Sequence, residues 1–205
     1  MIFIKINYHC ALLHLKFVCK NWYNILKIKF KFCQFNANYS SYLVEIGNLD
    51  LLKWAREKKC FWDENICSKA ARCGHLEILK WACKNGCSLN EIVCREAAKG
   101  GHLEVLKWAR QNGCSLNKNI IMYAAFNGHL EIIKWARENG CDWYHNACSD
   151  AAFNGHLEII KWATQNGCNL NKTVCSYAAF NGHLEVLKWA RENGCPHFFR
   201  NALLK

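Results

Sequence analysis

Residues 97–117 read AAKGGHLEVLKWARQNGCSLN, and the same phrase returns along the chain with few changes. Its turn glycine recurs at Gly47, Gly74, Gly101, Gly128, Gly155 and Gly182, always 27 residues apart. Trp54, Trp81, Trp108, Trp135, Trp162 and Trp189 keep the same step. So does a Leu-Glu pair such as Leu103-Glu104, with Leu49-Asp50 in the first copy. A fixed period of this length marks a repeat architecture, in which a unit too small to bury its own apolar face is stacked on copies of itself.

Each unit resolves into two short helices. Ile92, Cys94, Ala97 and Ala98 recur at mixed three- and four-residue spacing, which predicts a short amphipathic first helix. Paired alanines at 70–71, 97–98, 124–125, 151–152 and 178–179 would let neighbouring helices approach closely. Gly101 ends that helix, because glycine adopts the left-handed conformation on which helices commonly stop. The second helix starts near His102, with Glu104 in its first turn, where a carboxylate offsets the positive end of the helix dipole. Leu103, Val105, Leu106, Trp108 and Ala109 make its apolar face, and Asn112-Gly113 supplies the stop. Burying one aromatic side chain is worth about 1.5–3 kcal/mol, so a tryptophan in every copy is expected to carry much of the stacking. On that reading Trp108→Ala or Trp135→Ala should cost about 3–5 kcal/mol.

The 97–117 phrase closely resembles the helix-turn-helix core of ankyrin repeats, A-A-x-x-G-H-L-E-x-V-x-x-L-L-x-x-G-A-x-x-N, over about residues 40–205. Trp and Ala replace the usual Leu-Leu, and Cys replaces the Ala after the final glycine. The period is 27 rather than 33, and the Thr-Pro-Leu-His signature is missing. The missing residues fall where the family forms projecting β-hairpins. The resemblance therefore implies an all-α, ankyrin-type helical solenoid of stacked helix-turn-helix pairs, with shortened loops in place of the hairpins. It implies six repeats, the first (40–58) degenerate with Leu43-Val44 where alanines are expected, and a truncated seventh from Pro196. Compact arrays of this kind also look similar to the expanded repeat families of large DNA viruses, which implies a viral protein acting inside a host cell.

The first 35 residues differ in character. They hold six lysines and no acid, more than half of the net charge of +11. A basic arm can attract nucleic acid or anionic membrane. Here the lysines are dispersed among apolar residues, without a recognition helix or RNA-binding signature, so nucleic-acid association ranks last among the functional alternatives. The stretch CALLHLKFVCKNWYNIL (10–26) is similar to the second half of an F-box, with its L-x-x-L-x-x-V-C-K-x-W core. That resemblance implies binding of the Skp-type adaptor of a cullin ubiquitin ligase through Leu13, Val18, Cys19 and Trp22. The first half, with Leu-Pro-x-Glu, is absent, and a hydrophobic cap on the solenoid is the competing reading.

Neither a signal peptide nor a run of 18 uncharged apolar residues is visible, so no membrane partner is expected. The fifteen cysteines then read as reduced, in a cytosolic or nuclear setting rather than a secreted one. Histidines and cysteines recur with the repeat, but equivalent positions in a solenoid are translated along an axis and do not converge on a metal. No phosphate loop, nucleophile elbow or H-E-x-x-H appears. No catalytic residue, metal, cofactor or small-molecule substrate is expected.

A protein partner is. In ankyrin arrays it is gripped by the first-helix surface and the inter-repeat loops. The variable positions there include Arg72, Lys99, Phe126, Asn127, Phe153, Asn154, Phe180 and Asn181, with Tyr123 and Tyr177 just before the alanine pairs and Trp143 in a connector. Phe126, Phe153 and Phe180 should form a ridge with about 10 Å between neighbours, the usual helix-packing distance. The competing reading places these rings in the packing between repeats.

Overall fold

The computed structural model describes residues 39–60 and 62–196. Among them every regular element is an α-helix and there is no strand. In chain order these are α1 (Tyr39–Glu45), α2 (Leu49–Glu57), α3 (Ile66–Arg72), α4 (Leu76–Lys84), α5 (Glu91–Gly100), α6 (Leu103–Gln111), α7 (Lys118–Asn127), α8 (Leu130–Glu138), α9 (Ala147–Phe153), α10 (Leu157–Gln165), α11 (Lys172–Phe180) and α12 (Leu184–Glu192). They divide into two compact units, with the boundary between Asp63 and Glu64. Residues 1–38, which include the F-box-like stretch and Leu13, Val18, Cys19 and Trp22, lie outside the described residues.

In the first unit α1 packs on α2. The Asn48 side chain accepts a 3.0 Å hydrogen bond from the Leu51 amide and caps α2. Leu43 and Val44, standing where the other copies have alanines, are fully buried.

The second unit is the regular array α3–α12. Its first helices α3, α5, α7, α9 and α11 pack directly against one another in sequence, and each packs on its own second helix. The alanine pairs make this possible: both members are completely buried in α3, α5, α7 and α9. The core is completed from the second helices by Ile78-Leu79, Val105-Leu106, Ile132-Ile133 and Ile159-Ile160. The tryptophans stand elsewhere. Trp108, Trp135, Trp162 and Trp189 are only half-buried, at the boundary. Their neighbours one residue on, the alanines at 109, 136, 163 and 190, occupy the core instead. This corrects the expected cost of Trp108→Ala downward, to about 2 kcal/mol, because much less surface returns to water.

The repeating signature is now explicable residue by residue. The Asn-Gly stop is a cap: Asn85, Asn112, Asn139, Asn166 and Asn193 each donate from Nδ2 to the carbonyl of the preceding tryptophan at 2.8 Å. The Glu and Lys of L-E-x-x-K pair on the outer surface, as in Glu104–Lys107 and Glu131–Lys134 at 2.7 Å. Such exposed pairs add little to stability and leave these charges solvated.

The cysteines meet in pairs of unlike position. Cys67 is joined to Cys87 and Cys94 to Cys114. Equivalent cysteines do not meet, as expected, but two inequivalent cysteines of the same repeat do. After the Gly86 and Gly113 turns the amides of Cys87 and Cys114 return to the carbonyls of Ala82 and Ala109. The chain therefore curls back under its own repeat and faces the first helix.

Two sets of glycines with positive φ behave differently. Gly101 has φ +81°, and a Cβ there would lie 2.6 Å from the ring of His129 in the next repeat. Gly113 has φ +91°, with open space around an added Cβ. Gly113→Ala should cost only the left-handed backbone penalty, about 1–2 kcal/mol. Gly101→Ala should cost clearly more, since strain and a collision with a neighbouring repeat add. Urea unfolding of both variants tests this, and equal losses would refute the close approach at Gly101.

Candidate protein-interaction face

Five residues in equivalent positions lie in the last turn of the first helices: Arg72, Lys99, Phe126, Phe153 and Phe180. The main chain of the first four is held from the following repeat. His102 Nε2 donates to the carbonyl of Arg72 at 2.9 Å, and His129 to that of Lys99 at 3.1 Å. His156 donates to that of Phe126 at 3.2 Å, and His183 to that of Phe153 at 3.0 Å. The recurring histidines thus serve the backbone near the turns. Each of the four reaches thirty residues back and lies over a glycine of the preceding repeat, as His102 lies over Gly74 and His129 over Gly101. The interlock fixes where the face residues point.

The stripe changes character along the array. At its N-terminal part a carboxylate gathers three cations: Glu96 is bridged by Lys99 at 2.8 Å, Arg72 at 3.0 Å and Arg95 at 3.2 Å. Burial alone would raise the Glu96 carboxyl, but the hydrogen bonds from Lys99 and Arg72 hold it below its ordinary value. The cluster keeps a net positive charge. Lys99 Nζ also sits 4.6 Å from the ring centre of Tyr123, and the Arg95 guanidinium 6.0 Å from it. Such cation–π contacts orient the basic groups along the ring.

Beyond Tyr123 the stripe is aromatic. Phe126 stacks on Phe153 with ring centres 5.9 Å apart and planes inclined by 21°. Phe153 meets Tyr177 edge-on at 5.5 Å. The 10 Å spacing expected of the three phenylalanines is therefore corrected: backbones set that far apart still allow rings to lean together, and Phe153 turns toward Tyr177. Phe126 remains 42% exposed and Phe180 84% exposed. Ring packing and exposure thus coexist, so neither competing expectation holds alone.

The other expected residues are placed differently. Asn127 and Asn181 donate from Nδ2 to the carbonyls of Tyr123 and Tyr177, and Asn154 donates to the carbonyl of Phe126 at 2.8 Å. Their amides brace helix ends. Trp143 is not part of the stripe. Its Nε1 donates to the Asn166 carbonyl at 3.0 Å, its ring lies 6.0 Å from that of Trp162, and Arg137 covers it at 5.0 Å. That is the second-helix side. Arg95 and Glu96 belong to the face and were missed. The 27-residue step could have found Glu96, which occupies the position of Tyr123 and Tyr177. Among the described residues no three potential ligands gather to hold a metal ion, and no helix is long and apolar enough to cross a membrane.

A family model of ankyrin repeats, three copies long, matches residues 68–147 and again 94–173, together just over half of the chain. The chain belongs to the ankyrin repeat family. Among solved structures, the crystal structure of the human ASB11 ankyrin repeat domain superposes with a TM-score of 0.64 at 18% identity. It covers 82% of this chain and 88% of that one. At that identity the likeness is one of fold. No curated protein sequence matches the chain. Ankyrin repeats generally mediate protein–protein interaction.

The histidine interlock has a pH signature. Burial holds His102 and His156 below the ordinary histidine value, with neighbouring histidines adding to the effect and the bonds to Arg72 and Phe126 opposing it. A lowered folded-state value means that the unfolded chain binds protons first. The stability these groups contribute is complete above the unfolded value of about 6.5 and is lost as pH falls through it. The urea midpoint should therefore drop between pH 7.5 and 5.5. That dependence should weaken in a His102→Asn/His156→Asn variant, and an unchanged slope would remove the histidines as its source.

Proposed function

We propose that this ankyrin array binds a protein segment in which acidic residues precede aromatic or aliphatic ones. The segment lies along the first-helix stripe from Arg72 to Phe180. The single observation that carries the reading is the order of chemistry on that stripe: Arg72, Arg95 and Lys99 around one carboxylate, then Tyr123, Phe126, Phe153, Tyr177 and Phe180. Charges at the basic end would steer and orient the segment, and exposed rings would supply the buried apolar contact. Asn127, Asn154 and Asn181 act on this reading by bracing the stripe, and Trp143 serves a separate loop surface.

A library of synthetic peptides varying the order of acidic and apolar residues provides the test. The array should select acidic-then-apolar sequences. Phe126→Ala/Phe153→Ala should weaken the selected peptides at least tenfold with helicity retained, and Lys99→Glu should abolish the preference for acids. Selection without regard to order, or affinities untouched by these changes, would refute the proposal.

The second reading rests on the L-x-x-L-x-x-V-C-K-x-W core at residues 12–22. It makes the chain a substrate receptor that docks a Skp-type adaptor through Leu13, Val18, Cys19 and Trp22 and presents the array's partner to a cullin ubiquitin ligase, in a host cell if the viral resemblance holds. Pull-down with purified adaptor, comparing the full chain with one lacking residues 1–35, decides it. Capture by the full chain alone supports the receptor reading, and no capture by either discards it. The same truncation, assayed by salt-dependent DNA and RNA binding, tests nucleic-acid association through the basic arm.

A further inference from the structure

Four repeats of the array bring a first-helix cysteine against the cysteine that follows the second helix, always twenty residues later. Two of these pairs are the Cys67–Cys87 and Cys94–Cys114 disulfides. In the α9–α10 repeat the thiol of Cys148 donates to Cys168 Sγ at 2.9 Å, and both side chains are buried. In the α11–α12 repeat Cys175 and Cys195 stand at the same two positions, both buried, and the Cys195 thiol donates to the Asn171 carbonyl at 3.2 Å. The central repeat, α7–α8, breaks the pattern. Ile121 stands at the first-helix position, so the Cys141 thiol meets no sulfur there and keeps only the contact to the Asn117 carbonyl, 3.8 Å, that Cys114 and Cys195 also make to Asn90 and Asn171.

The cause lies in the turn already described. The amides of Cys141, Cys168 and Cys195 bond back to Ala136, Ala163 and Ala190 just as Cys87 and Cys114 do to their alanines, so every copy aims its sulfur at the same spot under the first helix. A sulfur is met there wherever the first helix supplies one.

We infer that the chain carries a ladder of redox-closable cross-links, one in each of these four repeats and none in the central one, formed by exchange with a small disulfide of the glutathione type. In the α9–α10 repeat the Cys168 thiolate attacks the glutathione disulfide. The glutathione S–S bond breaks, one glutathione thiolate leaves and takes up a proton, and a mixed disulfide forms on Cys168. Cys148 then loses its proton and attacks Cys168 Sγ, releasing the second glutathione. The protein pair is oxidised by two electrons and the glutathione disulfide is reduced to two thiols. The order follows the environments: the hydrogen bond from Cys148 lowers Cys168, whereas that same contact and burial raise Cys148. Burial and Cys195 push Cys175 up to about 12, which disfavours Cys175 as the first nucleophile of the last pair.

Closure joins the first helix to the loop that leads into the next connector. Oxidation therefore stiffens both flanks of the array and leaves untied the repeat that carries Tyr123 and Phe126. Cys83, half-buried with its sulfur 3.9 Å from Cys67 Sγ, is a nearby competitor.

The test uses the full chain, reduced with dithiothreitol, equilibrated with glutathione disulfide, alkylated and mapped by peptide mass spectrometry. Linked peptides 67–87, 94–114, 148–168 and 175–195 are expected, with Cys83 and Cys141 alkylated and the melting temperature raised by several degrees. Cys148→Ser should lose one link alone. Ile121→Cys should gain a fifth, to Cys141, a result that does not depend on any native pair being tolerant of substitution. Links between repeats, a Cys67–Cys83 link in place of Cys67–Cys87, or glutathione left on single cysteines without ring closure would overturn the inference.

Discussion

A hydrogen bond from one repeat's turn histidine to a carbonyl of the repeat before it sets the terms for the rest of this array. It can form only where the imidazole packs against the preceding turn, and that requires a residue without a Cβ there, hence the glycines at 74, 101, 128 and 155. With the turns locked, the first helices come close enough that alanine alone fits between them, and the second helices supply the bulk of the core through paired aliphatic residues. The carbonyls receiving these bonds belong to Arg72, Lys99, Phe126 and Phe153. Stacking and the candidate face are thus one construction: the bond that holds two repeats together also holds the backbone that presents the side chains.

Much of this was legible before any coordinates. The 27-residue step, the alanine pairs, Gly101 and the Asn-Gly stops sit where a reading of helix punctuation places them, because each answers a local demand of the backbone. What that reading missed involves pairs of unlike positions. Trp108 looks like core from its periodicity alone, yet the boundary of a two-helix unit runs through it and Ala109 takes the inside. The histidine bonds connect residues thirty apart rather than 27, and the cysteine pairs connect residues twenty apart. Neither offset shows as a repeat of anything, since the period relates only like to like.

The face shows the same division. Arg72, Lys99 and the three phenylalanines follow from the register, and they do lie in the last turn of the first helices. Arg95 and Glu96 escaped because their chemistry is cooperative. A single acid in a first helix looks solvated until Arg72 of the preceding first helix joins Arg95 and Lys99 of its own helix around it. The lean of Phe153 toward Tyr177 was equally hidden, because which ring it meets depends on side-chain direction and not on spacing. Asn127, Asn154 and Asn181 vary little in chemistry for the same reason that they sit on the stripe: helix ends there leave carbonyls that an amide can serve.

Every long-range contact that defines the array, whether histidine to carbonyl, sulfur to sulfur or alanine to alanine, joins residues of the same repeat or of the next. All such offsets survive if a whole repeat is removed or duplicated between two equivalent points. A gene of this kind can therefore change length by recombination between its own copies, in steps of 27 codons, without creating a new interface. Each step would move the border between the basic and aromatic stretches of the stripe. Variation in number would then become variation in what the surface recognises, through a route that leaves the fold untouched.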